Sequence, residues 1–289
     1  MMGLWRKARL FLFFGASVLF AKPLEVFVSI APQRYVVERI GGERVRVDVM
    51  VPEGKSPHTY EPTPSQLALL GKASVWFTLG LEFEGVLVNK VKKSYQRLLV
   101  VDTSQGIKKR LLSEKETGEH AHEEDRAGAP DPHIWMSLRL AKIQAGHIRD
   151  TLISLDQAGK TIYEANYEAL VKELDELDRE ISTMLAPYKG RVFFVYHPVL
   201  GYFADDYGLR QMAIEIGGKE PSSRVLSEII QRAKKEKVRV IFVQQGFSRR
   251  SAEAVAKAIN GKVEEFNPLS ADYVGMFRRI ATALVEAWK

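Results

Sequence analysis

The 289-residue chain contains no cysteine, which excludes a disulfide scaffold, a thiolate metal site, a cysteine nucleophile and a lipid-modified cysteine anchor. It has little excess charge of either sign, with 42 basic residues against 36 acidic ones and a net +6. No compact basic patch interleaved with aromatics is present, so no nucleic-acid partner is expected. An HExxH helix motif, a GxSxG nucleophile motif and a close internal repeat are all missing. The apolar stretch from Leu10 to Phe20 falls short of the about 20 residues that cross a bilayer comfortably.

What is present is an ordinary globular composition, 46% apolar and 27% charged, at a length that suggests about two domains. Residues 1–21 combine Arg6, Lys7 and Arg9, then the apolar stretch, then a small residue at Ala21. This reads as a signal peptide cleaved after Ala21. Its removal takes away three of the excess positive charges and no negative ones. Export without cysteine fits a bacterial periplasm.

Strand-like and helix-like segments then alternate. Leu24 to Ile30 and Val45 to Val51 read as strands flanking a helix that begins at Pro32. Short strands at Val75 to Leu79 and Leu98 to Val101 follow, with helices between. Residues 113–130 are different in kind: acidic, nearly without large apolar residues, and carrying His120 and His122. Such a segment cannot build a core and reads as a surface insertion. From Lys160 to Pro187 the apolar residues Ile162, Ala165, Ala169, Leu170, Leu174, Leu177, Ile181 and Leu185 fall at three- and four-residue steps. That predicts a helix about 40 Å long, enough to connect two lobes. Beyond it the alternation resumes, with strands at Arg191 to Tyr196, Gln211 to Ile216, Val238 to Val243 and Lys262 to Phe266. The expected fold is α/β: two α/β lobes with mainly parallel sheets, joined by one long helix. The boundaries are 22–158 for the first lobe, 159–187 for the connecting helix and 188–289 for the second lobe.

Three of the six histidines share a context. His58 lies in a loop after a strand, His133 at the boundary before a helix, and His197 directly after the strand RVFFVY. In open α/β sheets ligands gather at the carboxyl ends of strands, where such loops converge. Three imidazoles meeting there would suit zinc, with nitrogen ligands at about 2.0–2.1 Å. The long separations between them match no local zinc pattern, so spacing alone leaves convergence open. His147 lies inside a helix and reads as a solvated face residue.

Four separated words carry a resemblance: VPEGKSPHTYEPTPSQL at 51–67, DPHIWMS at 131–137, VYHPVLGYFADDYGL at 195–209 and NPLSADY at 267–273. In their order they resemble the cluster A-I solute-binding proteins of bacterial ABC transporters, which capture zinc or manganese. The resemblance covers essentially the whole chain after the signal peptide. It implies a rigid connecting helix, a metal held between the lobes, and His58, His133 and His197 as metal ligands. Asn267 stands at the fourth ligand position, where the family usually has Asp. The candidate shells are three His plus water or three His plus Asn267, with Glu61 or Asp272 as carboxylates that could substitute. Loss of the hard anionic oxygen tilts the choice from manganese toward zinc. His120 and His122 are accessory capture candidates, though a plain solvated loop reads equally well.

Gln244 to Phe247 read as lobe packing or hydrogen bonding around the ligands, and Trp135 and Tyr196 as shields beside them. The expected function is periplasmic zinc capture and delivery to an ABC permease by a monomer that transforms nothing. A manganese-binding member of the same family is the alternative. A three-His zinc hydrolase or lyase is another, and an adhesin-like role a minor one.

Overall fold

The computed structural model describes residues 22–112, 128–216 and 218–289. The expected signal peptide and the accessory candidates His120 and His122 lie outside these residues. β1 (Leu24–Ile30), α1 (Ala31–Gly41), β2 (Val45–Val51), α2 (Pro64–Leu70), β3 (Val75–Thr78), α3 (Glu82–Ser94) and β4 (Leu99–Asp102) make up the first α/β unit. Its four strands are parallel, in the order β2-β1-β3-β4. Two helices follow, α4 (Leu138–Leu155) and the long α5 (Lys160–Leu185). The second unit comprises β5 (Val192–Val195), α6 (Gly201–Tyr207), β6 (Arg210–Ala213), α7 (Ser223–Lys235), β7 (Val240–Gln244), α8 (Arg250–Ile259), β8 (Lys262–Phe266) and α9 (Tyr273–Trp288). Its parallel order, β6-β5-β7-β8, repeats that of the first sheet.

The strand sequences explain the layering. The central strands VWFT and VFFV are buried at every position, as parallel strands covered on both faces must be. Along β1, Val26, Val28 and Ile30 enter one core cluster while Phe27 enters another on the opposite face. In β5, Phe193 and Val195 face the first of these clusters, and Val192 and Phe194 a third. The shared cluster runs without a break from Val26 in the first sheet to Phe242 and Trp288 in the second unit.

α5 is the spine of that shared core. Tyr163, Leu170, Leu174, Leu177, Ile181 and Leu185 are its buried stripe. It packs on α1 and α4 of the first half and on α6 and α9 of the second. The first three turns differ from the sequence expectation, because Ile162, Ala165 and Ala169 are exposed and Tyr163 is buried instead. Tyr163 is drawn in by its hydroxyl, which donates to Asp156 at 2.6 Å, while Arg44 pairs with the same carboxylate at 2.7 Å.

In the second unit, one element starts and another ends three residues from the expected position. α6 starts at Gly201 rather than Pro198, since residues 197–200 turn sharply, with the Val199 N–H donating to His197 O and the Leu200 N–H to Gln211 Oε1. β6 ends at Ala213, beyond which Ile216 and Lys219 form a tight isolated bridge. Among the described residues no helix is long and apolar enough to cross a membrane.

Candidate metal centre

His58, His133 and His197 converge on one point. Their Nε2 atoms form a triangle with sides of 3.0 Å (His58–His197), 3.3 Å (His133–His197) and 3.4 Å (His58–His133). The rings stand edge-to-face, with interplanar angles of 67–80°. A tetrahedral zinc site with bonds of about 2.0–2.1 Å has nitrogen–nitrogen edges of about 3.3–3.4 Å, so the triangle already has the dimensions of one face.

Each imidazole is presented by a different local device. His197 follows β5, one of the two central strands between which strand order reverses, and its backbone is clamped from β7. Gln244 Oε1 accepts from the His197 N–H at 3.2 Å, and Gln244 Nε2 donates to His197 O at 2.6 Å. His133 ends the return leg of a short antiparallel stem, in which Leu112 bonds Ala129 and Gly128, and Asp131 N–H donates to Arg110 O. His58 sits in the loop between β2 and α2, where its N–H donates to Ser56 Oγ at 3.3 Å. That loop is braced from the second half. Glu53 accepts from Ala271 N–H, and Gly246 comes so close that a Cβ there would lie 3.1 Å from Gly54 O. Gly246 has φ +89°, which a larger residue adopts only with strain.

The other face of each ring meets a carboxylate. His133 Nδ1 is 2.7 Å from Asp131 Oδ1, and His197 Nδ1 is 2.6 Å from Glu215 Oε1. His58 Nδ1 is 3.7 Å from Glu82, a longer contact to a carboxylate that is 54% exposed. Asp131 is fully buried and receives Arg110 Nη1 on its other oxygen at 3.0 Å. Burial alone would raise its carboxyl, but His133 and the Arg110 guanidinium outweigh burial and hold it below the ordinary range. Acceptors at Nδ1 select the Nδ1–H tautomer and leave Nε2 as a bare lone pair. At His133 and His197 this leaves two lone pairs aimed at one point beside His58 Nε2, a junction that a cation among the three nitrogens would relieve. The donor set therefore fits a borderline metal that favours nitrogen.

The cavity over the triangle is about 30 Å³ and is lined by Trp135, Gln244, Gln245, Phe247, Asn267 and Pro268 besides the histidines. That is room for about one water or one further small ligand. Asn267 borders it, with its Oδ1 already accepting from Leu269 N–H at 2.9 Å. Glu61 is exposed and does not line the cavity. Asp272 is turned away, capping α9 at Gly275 and pairing with Arg279 at 2.8 Å. His147 lies on α4 and meets Gln105 O at 2.9 Å, apart from the cluster.

Of the two expected shields, Trp135 is in place. Its ring meets His133 edge-on at 5.2 Å, and its Nε1 donates to Pro268 O at 2.9 Å. Tyr196 does not line the cavity: it packs with Val192 and Phe194 in the core cluster beneath Phe247. Phe247 fills that role, stacked on His197 at 5.7 Å with an interplanar angle of 13°. Sequence reasoning did not single out the carboxylates. Asp131 stood within the DPH word two residues before a ligand, whereas Glu215 lies on a neighbouring strand's extension with no local signal.

Comparison with known proteins places these features in a family. The family model described as ZnuA, zinc-uptake complex component A periplasmic, matches residues 26–287. The high-affinity zinc uptake system protein ZnuA of Bacillus subtilis (strain 168) is 30% identical over 256 residues, covering 85% of this chain and 78% of the relative. The zinc-binding lipoprotein AdcA of Streptococcus pneumoniae (strain ATCC BAA-255 / R6) is 29% identical over 251 residues. That match covers 85% of this chain but 50% of AdcA, so the chain spans half the length of that relative. A crystal structure of ZnuA superposes with a TM-score of 0.84 at 38% identity, covering 93% of this chain and 100% of that one.

Proposed function

Because the chain belongs to the ZnuA family of periplasmic zinc-uptake components, we propose that it captures zinc in the periplasm and delivers it to the permease of an ABC transporter. His58, His133 and His197 are the ligands in this reading, through Nε2, with water or Asn267 in the fourth position. The observation that carries it is the triangle of Nε2 atoms at 3.0–3.4 Å, with carboxylates hydrogen-bonded behind His133 and His197. Residues 22–158 and 188–289 act as the two lobes and 159–187 as the connector, with residues 1–21 directing export as a signal peptide. A core continuous through α5 favours small loop rearrangements over wide hinge opening on metal release.

A solute-binding role asks for no transformation of the metal. The 30 Å³ cavity supports it over a hydrolase or lyase, since a substrate pocket is usually about 300–1,000 Å³. Metal analysis and competitive titration of the purified protein, beside His58→Ala, His133→Ala and His197→Ala, test the proposal. One zinc per chain, held against manganese and weakened in each variant, is the expected result. Absence of stoichiometric metal, or binding indifferent to these histidines, would overturn it.

A further inference from the structure

Two buried carboxyl groups in this site stand behind ligands rather than among them. Glu215 is 4% exposed, and its Oε1 meets His197 Nδ1. Its Oε2 is buried with no hydrogen-bond partner among the described residues. A buried carboxylate with an unpaired oxygen is costly and persists where it serves a purpose beyond stability. Asp131 is its counterpart behind His133, held by the His133 N–H at 2.9 Å and by Arg110. Arg110 in turn reaches Asp205 on α6 at 2.8 Å. Glu82 behind His58 is farther away and solvent-exposed.

We infer that Glu215 and Asp131 are positioning residues for the metal. They lock His197 and His133 as Nε2 donors and supply, from behind the rings, anionic charge that Asn267 cannot bring as a ligand. The inference rests on the three-histidine zinc reading above. A dication drawing electron density through an imidazole makes its Nδ1–H more acidic, and a carboxylate there strengthens both the hydrogen bond and the metal–nitrogen bond. The site thereby gains negative charge without presenting a hard oxygen to the ion, and its nitrogen preference is preserved. The three rings are not equivalent. His133 and His197 form a fixed pair, and His58, on its loop with the loosest backing, completes the triangle.

Glu215→Gln is the sharpest test, because the amide keeps an acceptor for Nδ1–H and its NH₂ takes the place of the unpaired oxygen. Loss of charge alone is then read as zinc affinity, by competition with a chromophoric chelator. The expected loss is about 10-fold to 100-fold for Glu215→Gln. Glu215→Ala should lose more, and Glu82→Gln less than either. Nitrogen-15 NMR of the metal-free protein supplies a readout that a purely structural role would not move. His197 should be the Nδ1–H tautomer in wild type and Glu215→Gln, and a mixture in Glu215→Ala. Zinc affinity within about twofold of wild type in both Glu215 variants overturns the inference, as does an unchanged tautomer in Glu215→Ala. If wild type itself binds no zinc, the capture reading falls, and the tautomer comparison alone decides whether Glu215 positions His197. If Glu215→Ala does not fold, Glu215→Gln carries the affinity test.

Discussion

Asn267 borders the metal cavity with an amide whose oxygen already accepts a backbone hydrogen bond from Leu269. Replacing it with Asp adds a hard anionic oxygen at the same place, which favours manganese over a purely nitrogen set. Asn267→Asp should therefore raise manganese affinity by about tenfold or more while changing zinc affinity less, as competition titration of the two metals would show. An unchanged manganese-to-zinc ratio would mean that the Leu269 bond keeps the side chain out of the coordination sphere. The histidines themselves were legible because loops after parallel strands are where an α/β fold gathers ligands, and family-like words surround them. What surrounds each imidazole was less legible, for two reasons. Glu215 approaches His197 across strands, a relation that no linear spacing encodes. Tyr196 is adjacent to His197 in sequence, yet its ring packs with Val192 and Phe194 and reaches His197 only through Phe247.

Among the elements, the helices carry the clearest consequences. Leu174 lies on the buried stripe of α5, with no exposed surface. Leu174→Ala should destabilise the protein by about 2–5 kcal/mol in urea unfolding, with an unchanged fold by circular dichroism. A loss below about 1 kcal/mol would show that α5 is peripheral to the core. At the start of α3, Glu84 accepts from the N–H groups of Leu79, Gly80 and Leu81. Burial nevertheless pushes its carboxyl from 4.5 up to about 7. The folded protein thus holds a proton that the unfolded chain has released between those values. That contribution is complete below pH 4.5 and lost as pH rises to about 7. Glu84→Gln, neutral throughout, should lack this component, so its stability relative to wild type should improve as pH rises through the window. Parallel pH profiles for the two proteins would refute it. The elements were legible to within a few residues at most ends because their apolar periods are clean. The buried face of the early turns of α5 and the start of α6 were not, because the Asp156 and Gln211 side chains fix them by hydrogen bonding.

At the scale of the whole molecule, one core cluster threads both sheets through α5. Unfolding should therefore be a single cooperative transition, with calorimetric and van't Hoff enthalpies in agreement. Zinc binding only the folded state would raise the midpoint, by about 4 kcal/mol of added stability at a free concentration 1,000 times the dissociation constant. His197→Ala should lose most of that gain while keeping a single transition. Two separable transitions would mean that the sheets fold independently despite the shared core. The repeated strand order of the two sheets was foreseen only as a repeated alternation, since order depends on which strands pair and not on their periodicity.

The size of the metal cavity has a consequence for entry. About 30 Å³ accommodates roughly one water, so an ion reaching the triangle must shed nearly all of its hydration shell on the way in. With the histidines as the proposed ligands, loading would be a sequence of exchanges in which imidazole nitrogens replace departing waters. Mg²⁺ dehydrates reluctantly and keeps several waters in an octahedral shell. At the proposed site, dications are therefore sorted by how readily they let go of water as well as by their affinity for nitrogen.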